Sequence, residues 1–216
     1  MSIELLESLI SEGGGDQVRE LLSQQPALAR QLTSQQVSPL MLAAYFGRPE
    51  IADIIALSMD DLTLHELSVL GRVNEVMQLL EKDATAVNSF SDDGFTPLGL
   101  ACMFGQTEIA RILIGHAADA NLPSNNDFSV YPLHSACALT DTTLVKHLLD
   151  AGAQPNVRQG MGLTPLHSAA QSGNIEMIIL LLEKGADTML RMEGGKLPAD
   201  LASDKGHSEI ADILSN

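Results

Sequence analysis

The sequence predicts an all-α solenoid of stacked helical hairpins, and three observations carry that expectation. A proline-centred heptad recurs as Thr96-Pro97-Leu98-Gly99-Leu100-Ala101-Cys102, Tyr131-Pro132-Leu133-His134-Ser135-Ala136-Cys137 and Thr164-Pro165-Leu166-His167-Ser168-Ala169-Ala170, with prolines 35 and then 33 residues apart. Self-similarity at that period is the signature of a repeat architecture. Behind the heptads, glycines open runs such as Gly105-Gln106-Thr107-Glu108-Ile109-Ala110-Arg111-Ile112-Leu113, whose apolar residues fall at i, i+3 and i+4. That spacing is the face of an amphipathic helix. Finally, 45% of the 216 residues are hydrophobic but only 5 Phe, 2 Tyr and 0 Trp are aromatic, so aliphatic and small side chains must fill the core.

The units follow one another along the chain. In the first, Gly13 is followed by Val18, Leu21 and Leu22 at the offsets that recur after Gly71. The second carries Ser38-Pro39-Leu40-Met41-Leu42-Ala43-Ala44 and then Gly47-Arg48-Pro49-Glu50-Ile51. In the third, Thr63-Leu64-His65-Glu66-Leu67 lacks the proline but leads to Gly71, Val76, Leu79 and Leu80. The three heptads head the fourth to sixth units, and Leu197-Pro198-Ala199-Asp200-Leu201-Ala202 with Gly206 forms a degenerate seventh. Proline suits the first position of a helix, where its missing N–H has no partner to lose, and the alanines let neighbouring helices approach. Residues 1–216 read as one domain of about seven units, the first and third degenerate. Residues 198–216 form a polar cap through Asp200, Asp204, Lys205, Glu209 and Asp212, as the end of a solenoid requires.

Thr-Pro-Leu-His-x-Ala-Ala followed by Gly-x-x-Glu and Leu-Leu-Leu-Glu-Lys-Gly-Ala-Asp, as it stands in residues 164–187, resembles the ankyrin repeat. The resemblance implies helical hairpins joined by β-fingers, used mainly as a protein-binding scaffold. Two departures bear on shape. Gly47 and Gly71 are only 24 residues apart, so about ten residues are missing against the usual period. The finger between the second and third units is expected to be absent, leaving Ser58-Met59-Asp60-Asp61 as a bare turn. The segment 121–129 carries two extra residues, and its finger should be longer.

Little in the chain points to catalysis. His134 and His167 share one position in adjacent units, and His65 is assigned to the same position in the third. Stacked helices stand ~8–10 Å apart, too far for these imidazoles to share a metal, so they are expected to tie fingers to their neighbours as the family does. Cys102 and Cys137 also share a position and are expected to be buried, unpaired thiols. Gly13-Gly14-Gly15-Asp16 and Gly194-Gly195-Lys196 lack the context of a phosphate-binding loop. No cofactor and no metal are expected, and an enzyme is the least favoured reading.

Twelve basic against 28 acidic residues give a formal charge of −16. That sign excludes a chain built to neutralise phosphates, so neither nucleic acid nor an anionic membrane is expected as partner. A protein with a neutral or basic surface is. The longest aliphatic run, Met177-Ile178-Ile179-Leu180-Leu181-Leu182, falls far short of the ~20 residues needed to span a bilayer. The N-terminal residues are acidic where a signal peptide is positive. The expectation is a soluble, cytoplasmic monomer.

In the family, the pair of residues before the turn glycine of the first helix and the finger tips face the concave side and meet the ligand. Here those pairs are Tyr45-Phe46, Val69-Leu70, Met103-Phe104, Ala138-Leu139, Gln171-Ser172 and Asp204-Lys205. The first four are apolar and the last two polar. Phe90, Phe95 and Phe128 lie on fingers. Aromatic side chains dominate interface hot spots, so the candidate partner-binding residues are Tyr45, Phe46, Val69, Leu70, Phe90, Phe95, Met103, Phe104, Phe128 and Leu139. Two alternatives compete: a structural scaffold whose apolar stripe meets itself in a dimer, and a stripe folded into the packing between units.

Overall fold

The computed structural model describes residues 2–215, which form fourteen α-helices paired into hairpins. The pairs are α1 (Ile3–Glu12) with α2 (Gly15–Gln24), α3 (Pro39–Tyr45) with α4 (Pro49–Ala56), and α5 (Leu64–Leu70) with α6 (Val73–Lys82). They continue with α7 (Pro97–Met103) and α8 (Thr107–Gly115), α9 (Pro132–Ala138) and α10 (Thr142–Asp150), and α11 (Pro165–Ser172) and α12 (Ile175–Glu183). The last pair is α13 (Pro198–Asp204) and α14 (Ser208–Ser215).

Local chemistry explains where these helices start. Proline opens α3, α7, α9, α11 and α13, and the hydroxyls of Ser38 and Thr96 accept from the backbone N–H groups of Met41 and Gly99. Helix α5 has no proline and uses a capping box instead. Thr63 N–H donates to Glu66 Oε2 at 2.9 Å and Glu66 N–H donates to Thr63 Oγ1 at 3.2 Å, two orphan donors satisfied reciprocally. Left-handed glycines turn most first helices into second ones, at φ 65° for Gly47, 72° for Gly71 and 68° for Gly105. In the fifth hairpin Thr140 does this at φ 56°.

The fingers are turns rather than β-ladders. Among the described residues the one β-bridge pairs Gln159 with Leu163. Each finger is closed by a backbone hydrogen bond, from Thr33 N to Val37 O, Ser91 N to Phe95 O, Gln159 N to Leu163 O and Met192 N to Lys196 O. With so few residues between donor and acceptor, the arms are too short to extend a ladder. The longer finger closes over six residues, from Ser124 N to Val130 O. Between α4 and α5 there is only a turn, made by Ser58 N to Ile55 O and Met59 N to Ala56 O.

That gap divides the interior. One apolar cluster joins α1–α4, from Leu6 to Ala56, and takes in Val69 and Leu100; the other runs from Leu64 to Leu214. A ladder of asparagines stitches the second part: Asn88, Asn121 and Asn156 each accept from a backbone N–H of the next unit, at Asp119, Gln154 and Asp187, all at 2.8 Å. The same residues donate back to Ala117, Gly152 and Gly185 carbonyls. Among the described residues the ladder has no rung before Asn88. Cys102 and Cys137 are free and fully buried on α7 and α9, and burial raises both thiols.

Candidate protein-binding face

The C-terminal ends of the first helices carry most of the candidate residues. Tyr45 and Phe46 at the end of α3 are 39% and 46% exposed, and Leu139 beyond α9 is 46% exposed. Between them Phe104 stands half-buried, its ring centroid 5.8 Å from that of Tyr45 at a tilt of 35°. Side chains from the second and fourth hairpins therefore meet across the third. The Tyr45 hydroxyl also donates to the Asp93 carboxylate on the finger that precedes α7. Burial and then the neighbouring Asp93 push the phenol up, which keeps it protonated as the donor.

Not every candidate joins this edge. Val69 is buried in the first cluster with Leu100 and belongs to the core, because Leu70, Phe95 and Phe104 pack on that cluster. Met103 is half-buried. Phe128, 68% exposed, lies at the tip of the longer finger, and exposed Phe90 faces the gap beside the third hairpin. The polar pairs Gln171-Ser172 and Asp204-Lys205 are exposed.

The histidines do structural work, with one reassignment. His134 and His167 donate through Nε2 to the carbonyls of Leu163 and Lys196, at 2.9 and 3.2 Å, at the base of the next finger. His65 was expected at the same position and lies one residue earlier; its Nε2 bonds the Ser89 carbonyl at 3.0 Å. Glu66 fills the histidine position instead. It caps Thr63 as His167 caps Thr164 through Nδ1 at 3.2 Å. His134 makes no such bond: Tyr131 lacks the threonine hydroxyl that stands 2.8 Å from His167 Nδ1 in the sixth unit, and the buried Nδ1 of His134 has no hydrogen-bond partner among the described residues. Burial pushes His134 down to about 4. Among the described residues, no group of three or more His, Cys, Asp or Glu side chains could hold a metal ion, and no helix is long and apolar enough to cross a membrane.

The residues that the sequence did not single out are those around the gap: Arg30, Leu32, Met41, Leu62, Glu66 and Asp92. The shortened Gly47–Gly71 interval was the one signal of their exposure.

Comparison with known proteins bears on the whole stack. A family model described as ankyrin repeats, in three copies, matches residues 59–124 and 133–216. The human BCL-6 corepressor-like protein 1 is 27% identical over 139 residues, 64% of this chain and 8% of that protein. The human DNA-binding protein RFXANK is 32% identical over 78 residues, 36% of this chain and 30% of that protein. Ankyrin repeat and SAM domain-containing protein 6 of Rattus norvegicus is 31% identical over 101 residues, 44% of this chain and 11% of that protein. The aligned part thus spans less than a third of each of these relatives.

Proposed function

Because the chain belongs to the ankyrin repeat family, we propose that it is a non-enzymatic protein-binding module, an adaptor or regulator, whose partner lies along the concave face of the second to fifth units. The observation that carries this reading is the apolar edge of Tyr45, Phe46, Phe104 and Leu139, which stays partly exposed although the molecule has a large core to bury it in. Soluble proteins seldom leave such an edge without a use. Leu70 and Met103 support it from beneath, and Phe95 and Phe128 contribute from the fingers. The seven hairpins act as one domain and one monomer. The formal charge of −16 favours a neutral or basic protein surface and argues against direct phosphate contact. A relative named for corepression and one named for DNA binding fit a module that brings proteins together.

Binding measured by titration against a captured partner tests the assignment. Phe46→Ala is the cleaner variant because Phe104 also packs on the core. Removing a central aromatic anchor costs ~2 kcal/mol or more, so Phe46→Ala and a normally melting Phe104→Ala should each weaken binding about thirtyfold, at ~1.4 kcal/mol per factor of ten. Gln171→Ala should leave it unchanged. The opposite pattern would move the site to the C-terminal units, and a dimer dissociated by Phe46→Ala would favour self-association.

A further inference from the structure

The later fingers are joined edge to edge, each by one backbone hydrogen bond. Asn125 N donates to Gly94 O at 2.6 Å, Gly160 N to Phe128 O at 3.3 Å and Glu193 N to Met161 O at 2.7 Å. The donor is always the residue after the one that closes its finger. At the first finger that donor is Ser34 N, and Glu7 takes it at 2.5 Å. At the finger 91–95 the corresponding donor is Asp92 N, which has no partner among the described residues. The neighbour it would meet is the finger missing between the second and third units.

The missing finger leaves a cavity of ≈ 510 Å³ between the first finger and residues 89–93. That is within the ~300–1,000 Å³ of typical ligand sites. Leu32, Met41, Leu62 and Phe90 line it, with Leu32 39% and Phe90 42% exposed. Its charged groups are mostly acidic. The Glu66 side chain is only 6% exposed, and while its Oε2 takes Thr63 and an Arg30 guanidinium 3.4 Å away, its Oε1 accepts no hydrogen bond among the described residues. Asp92 and Asp93 stand at the rim. Three carboxylates against Arg30 leave a formal −2, and burial lowers the neighbouring His65 so that it adds no charge near neutral pH.

We propose that this slot is a second docking site, distinct from the apolar edge, and that it takes an extended segment of a partner protein carrying an arginine or lysine beside an aliphatic side chain. The segment's backbone carbonyl accepts the Asp92 N–H in place of the missing finger, the cation meets Asp92 and the open oxygen of Glu66, and the aliphatic group enters between Met41 and Phe90. Main-chain pairing with side-chain pockets is a general mode of peptide recognition. A second copy of this chain is the poorer occupant, since each copy carries −16 and the two repel.

Fluorescence anisotropy with a labelled heptapeptide alternating leucine and arginine tests the proposal, with glutamate replacing arginine in the control peptide, at ~150 mM salt. The arginine peptide should bind and the glutamate peptide should not. Asp92→Lys should weaken binding at least about tenfold, whereas Glu183→Lys, the same charge change at the exposed end of α12, should change it less than about twofold. Peptide should also slow hydrogen exchange at the Asp92 amide, and Phe46→Ala should bind it as the parent does. No binding, equal weakening by the two charge reversals, or an Asp92 amide unaffected by bound peptide would each overturn the site. So would a dimer that Asp92→Lys dissociates.

Discussion

His134 carries the cost of one substitution in the repeat. Its Nε2 proton is committed to the Leu163 carbonyl, so Nδ1 is a bare lone pair, buried and without a hydrogen-bond partner among the described residues. The Tyr131 ring, 5.8 Å from the imidazole, fills the space where the sixth unit has a threonine. With the folded value near 4 and the unfolded one near ~6.5, the unfolded chain takes the proton first. The contribution of His134 is therefore complete above ~6.5 and fades as pH falls toward 4, amounting to a loss of about 2 kcal/mol by pH ~5. Urea denaturation at neutral pH and at pH ~5 should show that loss, and His134→Gln should flatten it. His65 and His167 are lowered by burial as well and act in the same sense. The histidine position was visible in the sequence, but its occupant in the third unit was misassigned. There the histidine of Thr63-Leu64-His65-Glu66 stands one residue early, whereas Glu66 follows Thr63 by three residues as His167 follows Thr164, and the capping bonds agree.

The turn between α9 and α10 shows how strongly the hairpin dictates its own geometry. Thr140 is held at φ 56° where the other first helices end in glycine, and the left-handed region costs a residue with a β-carbon ~1–2 kcal/mol. Glycine there loses ~0.5–1 kcal/mol through the entropy of the unfolded chain. Thr140→Gly should thus stabilise the protein by about 0.5–1 kcal/mol, read as a higher urea midpoint at unchanged slope. Helix positions were legible because proline, glycine and the i, i+3, i+4 pattern are local signals. The fingers were legible in number and length but not in kind. Their strands depend on pairing between units, and here single bonds at the tips do that work, as where a β-carbon on Gly94 would lie 2.5 Å from the Asn125 carbonyl oxygen.

At the scale of the molecule, the seam between the second and third hairpins is the dominant irregularity. Two clusters meet there, the asparagine ladder has not begun, and a second cleft of ≈ 400 Å³ opens between α4 and α6. The Arg72–Asp53 pair that crosses it at 2.6 Å is largely exposed and adds little. In a stack where each unit leans on its neighbours, residues 62–80 should exchange amide hydrogens faster than residues 164–182. Equal protection in the two segments would mean that the capping box of α5 makes up for the missing finger. The chain length between glycines announced the gap, but nothing local could announce that Tyr45 and Phe104 meet or that Val69 is buried in the first cluster, since those residues come together only when separate hairpins pack. The consequence is mechanical. With Tyr45 held both to Phe104 and to Asp93, a pull on the first two hairpins passes straight to the fourth, over the head of the degenerate third.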